Sequence, residues 1–355
     1  MAITHEKVLE ALSFVIEPEL KKDIVSLGLV SDVKTEANSV SFKVKSSNPA
    51  MHYRKRLEEA CTHQIRRFLG NDVTVLPEVE SLPKTADRPQ EQRKFLPGVK
   101  RFIAVASGKG GVGKSTICAN IAAGLAKRGF KVGLVDADIY GPSMPIMFDV
   151  ATEKPGLSGT EEDNKMTPVE NHGVKMLSIG FFAEANQAIV WRGPMASKAL
   201  KQMFTDVHWG ELDFMLIDLP PGTGDVHLSL VQEIPLDGVV IVSTPQNIAL
   251  ADARKGIGMF KLPEINVPVL GIVENMSWFT PEELPDNKYF IFGEGGAERL
   301  AEEMKVNLLG QIPLVQSIRE SGDVGRPAVL QKNTIQSKAF DTMVGNLLNV
   351  MNVSS

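Results

Sequence analysis

The pattern of apolar and polar positions divides the chain into two parts, and the first part shows short, mixed patterns. Residues 6–16 carry apolar side chains at the spacing of one helix face, and residues 57–69 have a second helical pattern that ends at a glycine. Runs of strand length occur at residues 24–30, 39–45 and 73–76. This pattern predicts a small α+β domain over residues 1–78.

The longer second part has apolar runs that do not alternate with polar residues, which is typical of parallel strands covered by helices on both faces. These runs span residues 101–106, 131–135, 212–217, 238–243, 267–273 and 308–312. Helical patterns separate them, beginning with the alanine-rich residues 117–128. The fold class predicted for residues 99–355 is therefore α/β, with a doubly wound, mostly parallel sheet. Residues 79–98 contain three prolines and mixed charges, so we expect a linker there.

The composition is that of an ordinary globular protein, since 43% of the 355 residues are hydrophobic and 23% are charged. The formal net charge of -5 gives no basic field that would attract nucleic acid. No apolar run approaches the roughly 20 residues that span a bilayer, and the N-terminus lacks a signal-peptide core. We therefore expect a cytoplasmic protein with no membrane or nucleic-acid partner.

One stretch carries a phosphate-binding pattern between a predicted strand and a predicted helix. It fits G-x-x-x-x-G-K-[ST], in which glycines let backbone N–H groups curl around phosphate and the helix N-terminus adds positive charge. Lys114 is expected to reach the β/γ-phosphates of ATP, and the Ser115 hydroxyl to coordinate Mg²⁺. The predicted nucleotide-binding residues here are Gly108, Lys109, Gly110, Gly111, Val112, Gly113, Lys114, Ser115 and Thr116.

Carboxylates follow two other predicted strands, and ligands of such sheets bind where the strands end. Asp218 ends an apolar run, a position from which a carboxylate can hold Mg²⁺. Asp136 and Asp138 are two residues apart and share a face of the strand, so both side chains could face the phosphates. Asp136 could instead cap the following turn. The loop of residues 220–222 is a candidate switch segment whose Gly222 N–H could sense a γ-phosphate.

The loop with Lys109 resembles the deviant Walker A sequence KGGxGK[ST] of the family that includes MinD, ParA, ArsA and the nitrogenase iron protein. The resemblance implies that Lys109 acts on a nucleotide held by the other subunit of a homodimer. It also implies that Asp138 orients the attacking water, and that Asp136 lies near the magnesium shell formed with Ser115 and Asp218. The candidate catalytic residues are then Lys109, Lys114 and Asp138, and the candidate adenine contacts are Asn275 and Pro313.

Further sequence motifs resemble those of one branch of this superfamily, the Mrp/ApbC proteins. They include residues 136–143, 191–195, 218–225, 244–246, 249–256, 274–277, 291–296 and 318–323. Residues 15–30 resemble the small domain of Fe–S cluster assembly factors that is often fused ahead of such ATPases. The resemblance implies a homodimer that carries Fe–S clusters to apoprotein clients and works with Fe–S assembly proteins.

The chain departs from that family at its cysteines. Many members have Cys-x-x-Cys where residues 278–285 contain no cysteine, and the small domain has Met51 where a cysteine is expected. Thiolates are the normal ligands of Fe–S clusters, whereas Cys61 and Cys118 each fit a small core residue and form no disulfide framework. Either a cluster uses other ligands, or the chain keeps the ATP switch and client docking without it.

Two competing functions use the same nucleotide site. A positioning ATPase like MinD needs a basic amphipathic C-terminal helix, but the apolar stripe of residues 340–351 has no Lys or Arg after Lys338. One like ParA needs basic faces for DNA, which an acidic chain supports poorly. The other alternative is a nucleotide-dependent scaffold without turnover.

Overall fold

The computed structural model describes residues 4–17, 22–36, 38–46, 51–70, 72–81, 95–158, 165–182, 193–281, 283–284 and 287–353. The chain divides into two compact units, Met1–Thr85 and Ala86–Ser355. Most of the predicted linker lies outside the described residues, as do the first two residues of the motif at 191–195.

The first unit is a small α+β fold. Its helices are α1 (His5–Leu12) and α2 (Met51–Leu69), and its strands are β1 (Ile16–Glu17), β2 (Lys22–Asp23), β3 (Val30–Glu36), β4 (Ser39–Ser46) and β5 (Thr74–Ser81). Strands β3, β4 and β5 form one sheet in that order, antiparallel and then parallel. Alternate residues of β4 are buried, as its sequence pattern predicts, and they pack in one core with Cys61.

Two predictions in this unit are wrong in position. Residues 24–28 form a turn rather than a strand, because the Asp23 carboxylate accepts the Ser26 N–H at 2.7 Å and stabilises the reversal of the chain. The strand predicted at residues 73–76 instead begins at Thr74 and continues to Ser81, as β5. β5 is the edge strand of this sheet, a position at which the missing N–H group of Pro77 is tolerated.

The second unit is built around an eight-stranded sheet. Its helices are α3 (Lys114–Lys127), α4 (Met144–Met147), α5 (Gly193–Thr205), α6 (Asp225–Glu233), α7 (Asn247–Phe260), α8 (Gly296–Met304), α9 (Gln316–Asp323) and α10 (Ile335–Val350). Its strands are β6 (Phe102–Ala106), β7 (Val132–Asp136), β8 (Gly156–Ser158), β9 (Lys165–Thr167), β10 (Val169–Asn171), β11 (Val174–Ser178), β12 (Phe214–Asp218), β13 (Gly238–Ser243), β14 (Val269–Phe279) and β15 (Leu308–Leu314).

The strand order in this sheet is β10-β11-β7-β12-β6-β13-β14-β15, and every pairing is parallel except that of β10 with β11. The predicted fold class, a doubly wound and mostly parallel α/β sheet, is confirmed. All residues of β6, β7, β12 and β13 are buried, which explains why their sequences do not alternate.

This order places three functional segments at one edge of the sheet. Strands β7, β12 and β6 are adjacent, and Asp218 lies opposite both Asp136 and Val105 in the register. The carboxyl ends of the three strands therefore deliver Asp136, Asp218 and the loop after β6 to neighbouring positions. The topology alone explains why residues far apart in sequence share a site.

Strand β14 is longer than its sequence pattern predicts. The apolar run ends at residue 273, but the strand continues to Phe279 along β15, with an irregular register between Asn275 and Phe279. Met276 sits in this irregular part with a φ of 57°, in the left-handed region. Asn275 therefore belongs to the strand and not to a loop after it.

The C-terminal helix α10 packs its apolar stripe inside its own unit. Its buried residues include Phe340, Met343, Val344, Leu347 and Leu348. They pack against β15 and α3, so the stripe is part of the core. Among the described helices, none is both long and apolar enough to cross a bilayer.

Candidate functional site

The loop between β6 and α3 has a geometry that depends on its glycines. Gly111 and Gly113 both have a φ of 83°, a conformation that residues with a side chain rarely adopt. A Cβ on Gly108 would collide with the backbone of Asp252 and Ala253 in α7. The loop is therefore held tightly against α7 and leads directly into the N-terminus of α3.

One hydrogen bond lies within the same loop, and two others tie the loop to its surroundings. The Ser107 hydroxyl donates to the Lys109 carbonyl at 2.9 Å, and the Asn275 amide donates to the Val112 carbonyl at 2.9 Å. The Gly222 N–H donates to the Ser107 carbonyl at 2.9 Å. The N–H group expected to sense a γ-phosphate is thus bonded to the phosphate loop itself.

Lys114 and Ser115 converge on one buried carboxylate. Lys114 Nζ donates to Asp218 Oδ1 at 2.7 Å, and the Ser115 hydroxyl donates to Asp218 Oδ2 at 2.6 Å. Asp138 Oδ2 lies 3.4 Å from Lys114 Nζ. Three of the predicted residues, Ser115, Asp138 and Asp218, therefore surround the ammonium group of Lys114.

Asp136 lies beside this cluster but is bonded to its own neighbourhood. Its Oδ2 accepts the Ser178 hydroxyl at 2.9 Å and the Met144 N–H at 3.1 Å, and its Oδ1 accepts the Asp138 N–H at 3.3 Å. The turn-capping interpretation describes these contacts. The sequence reasoning missed Ser178, whose only signal is a polar residue at the end of an apolar strand.

Burial dominates the electrostatics of the site. It raises the pKa of Asp136 to about 7, with a further contribution from the charge of Asp218. It also raises the pKa of Asp218, although Lys114 and Ser115 oppose the rise. For Lys114, burial alone would lower the pKa, but the charge and hydrogen bond of Asp218 outweigh it and leave the pKa raised. Lys114 is therefore a permanently charged group held among carboxylates.

Both cysteines are buried, and neither has an activated thiol. Burial raises the pKa of Cys61 to about 12, and it raises the pKa of Cys118 well above its ordinary value, helped by the charge of Asp218. A protonated, enclosed thiol is a weak nucleophile and a poor metal ligand. Among the described residues, no cluster of three or more His, Cys, Asp or Glu residues is arranged to hold a metal ion.

A cavity of about 300 Å³ opens beside the phosphate loop. Its lining residues include Gly113, Thr116, Ile146, Asn275 and Pro313. An apolar wall with a few polar groups suits a flat heterocyclic base. Both predicted adenine contacts, Asn275 and Pro313, lie on this one cavity.

The remaining predicted catalytic residue, Lys109, is not among the residues that contact Lys114 or Asp218. Its side chain is exposed, and among the residues that the structure describes it has no ion-pair partner. It does not contribute to the arrangement around Lys114.

The glycine loop, the lysine and serine that open α3, and the strand-end aspartates define a P-loop nucleotide-binding protein. Residues 98–348 match the family model described as NUBPL iron-transfer P-loop NTPase, and residues 5–76 match that of iron-sulfur cluster assembly protein. The chain belongs to this family of iron-transfer P-loop NTPases, with an Fe–S-assembly-type small domain before the NTPase domain.

One curated relative covers nearly the whole chain, and another covers about three quarters of it. An iron-sulfur cluster carrier protein of Synechocystis is 41% identical over 360 residues, 99% of this chain and 99% of its own length. The iron-sulfur cluster carrier protein of Escherichia coli is 46% identical over 281 residues, 78% of this chain and 73% of its own.

Solved structures agree with the fold of the larger unit. A nucleotide-binding protein of Archaeoglobus fulgidus in complex with ADP is 38% identical with a TM-score of 0.58, and the match covers 67% of this chain and 91% of that one. The cell-division ATPase MinD of Pyrococcus furiosus is 25% identical with a TM-score of 0.50, and the match covers 70% and 99% of the two chains.

Replacing Gly108 with alanine should destabilise the larger unit, because the new Cβ has to displace the backbone of α7. We expect the free energy of unfolding in urea to fall by about 1–3 kcal/mol. Gly110→Ala is the matched control, since its Cβ would lie 4.0 Å from the nearest heavy atom, on Pro221. Equal stabilities of the two variants would contradict this account of the loop.

Asp136→Asn should flatten the pH dependence of stability, measured by urea unfolding without nucleotide or magnesium. The pKa of Asp136 is raised from 3.8 to about 7, so between these values the folded state holds a proton that the unfolded state releases. Its contribution to stability is complete below pH 3.8 and is lost as the pH rises to about 7, with a slope of up to about 1.4 kcal/mol per pH unit. Asp323→Asn, at an exposed position in α9, is the control. An unchanged slope in Asp136→Asn would argue against a protonated Asp136.

Proposed function

We propose that the chain is a dimeric switch that binds and hydrolyses ATP, and that it acts in the assembly of Fe–S clusters or their transfer to apoproteins. The observation that carries the nucleotide part lies beside the glycine loop, where Lys114 and Ser115 both bond Asp218 and Asp138 pairs with Lys114. The family and its relatives, which include iron-sulfur cluster carrier proteins, support the Fe–S part.

The residues present fit a magnesium–nucleotide complex. Ser115 and Asp218 offer the hard oxygen ligands that Mg²⁺ prefers, and when bound the ion would neutralise phosphate charge. The backbone N–H groups of the loop and the Lys114 ammonium would bind the phosphates. Because Lys114 is bonded to Asp218, a phosphate that engages the ammonium competes with this carboxylate. Nucleotide binding would thereby reorganise the strand-end loops.

Hydrolysis needs an oriented water and neutralised charge. We assign the orientation of the water to Asp138, which lies next to Lys114, and assign Asp136 to the support of the loop and the magnesium shell. Lys109 supplies positive charge to the nucleotide of the second subunit. Turnover would then require two paired chains, as expected for a switch.

The Fe–S part of the proposal depends on which residues could ligate a cluster. The chain has two cysteines in all, and each lies buried with a raised pKa. We infer that neither thiol ligates a cluster in the folded chain. A cluster would have to be held by other ligands, or the switch and its docking to clients would operate without one.

The nucleotide proposal predicts different defects for the two loop lysines. Lys114→Ala should lose Mg·ATP binding, because it removes the buried ammonium. Lys109→Ala should bind ATP like the wild type but release phosphate about 10²–10³-fold more slowly, the effect of losing one group that stabilises a transition state. Equilibrium binding, phosphate release and light scattering with ATP measure these properties. Lys338→Ala, at an exposed position in α10, is the control.

Two outcomes would contradict the nucleotide proposal. The first is hydrolysis at the wild-type rate by Lys109→Ala. The second is a wild-type chain that remains monomeric with every nucleotide tested.

The cargo inference predicts that Cys61→Ser and Cys118→Ser retain as much iron as the wild type. After anaerobic reconstitution with iron and sulfide, followed by desalting, iron content and visible absorption would be compared. A variant that loses its iron while it keeps its fold would show that the thiol is a ligand after all.

A further inference from the structure

A buried histidine contacts the segment that follows the magnesium-site aspartate. His227 lies in the first turn of α6 and is only 2% exposed. Its Nδ1 lies 3.0 Å from the carbonyl oxygen of Pro220. A carbonyl only accepts hydrogen bonds, so Nδ1 carries the proton and donates it.

This contact matters because the segment of residues 220–222 has few backbone donors. Pro220 and Pro221 have no N–H group. The Leu219 N–H donates to the Val105 carbonyl at 3.1 Å, and the next N–H, that of Gly222, donates to the Ser107 carbonyl at 2.9 Å. Between these two backbone anchors, the His227 side chain supplies a third contact, at the Pro220 carbonyl.

The imidazole ring is itself in an unusual state. Burial lowers the pKa of His227 to about 4, so the ring is neutral at physiological pH. Its Nε2 is buried and has no hydrogen-bond partner among the described residues, while the ring packs against Phe260 with centroids 5.7 Å apart. A buried polar atom without a partner is unfavourable. An apolar ring would fill the same space without that cost, so packing alone does not account for a histidine here.

We propose that His227 is a positioning residue for the segment of residues 220–222, and that its hydrogen bond to Pro220 lets this segment distinguish ATP from ADP. This inference rests on the proposed ATP switch. Gly222 has a φ of 88°, in the left-handed region that favours glycine, and without a side chain its backbone can adopt conformations closed to other residues. With Pro220 fixed, motion is confined to the following peptide groups. Without His227, the whole segment can shift, and the response to a third phosphate weakens.

The test compares three substitutions of His227 in the full chain. His227→Phe keeps a ring beside Phe260 but removes the donor. His227→Asn keeps an amide donor at the position of Nδ1. His227→Gln places its amide near the position of Nε2, where it cannot reach Pro220 in the same way. Dissociation constants for Mg·ATP and Mg·ADP are measured for each protein, with urea unfolding to confirm that each variant folds.

We expect His227→Phe and His227→Gln to weaken ATP binding up to about tenfold relative to ADP binding, the effect of one hydrogen bond. His227→Asn should restore the wild-type ratio. Equal changes for both nucleotides, no change in any variant, or a failure of asparagine to restore the ratio would each overturn the role of His227. A wild-type chain that binds neither nucleotide would instead refute the proposed function.

Discussion

The site depends on a lysine and an aspartate that are buried together. Removing two charges from water is costly, and a buried pair is tolerated only when its geometry is good and the remaining polar atoms are satisfied. Here Lys114 bonds one oxygen of Asp218, and Ser115 satisfies the other. The pair forms because β12 lies beside β6 in the sheet, which brings the end of one strand against the helix that follows the other. Burial raises the pKa of Asp136, whereas the charge and hydrogen bond of Asp218 overcome the effect of burial on Lys114 and keep its pKa raised.

Much of this arrangement could be predicted from the sequence, because its determinants are local. A glycine loop between an apolar strand and a helix identifies the phosphate site, and aspartates at strand ends identify the carboxylates. The partners of these groups are not local. Ser178 meets Asp136 across 42 residues of sequence, and Asn275 meets the Val112 carbonyl across 163. Such contacts follow from the order of the strands, and no spacing along the chain encodes them.

Where the sequence reasoning failed, a specific interaction overrode an apolar pattern. Residues 24–28 look like part of a strand, but the side chain of Asp23 bonds a backbone N–H three residues on and turns the chain. In β14 the apolar pattern ends before the strand does, because pairing with β15 continues past an irregularity at Met276. Cross-strand pairing of that kind depends on the neighbouring strand and is invisible in the pattern of one segment.

Binding of the base and binding of the phosphates of a nucleotide would both affect the phosphate loop. Asn275 lines the cavity beside the loop and donates to the Val112 carbonyl, so one side chain belongs both to this cavity and to the support of the loop. On the other side, Gly222 ties the loop to the segment that follows Asp218. A base that displaced Asn275 would loosen the loop, whereas a base that left it in place would bind to a loop already shaped for phosphate. The second case requires less reorganisation, and it favours a site in which base and phosphates are recognised together.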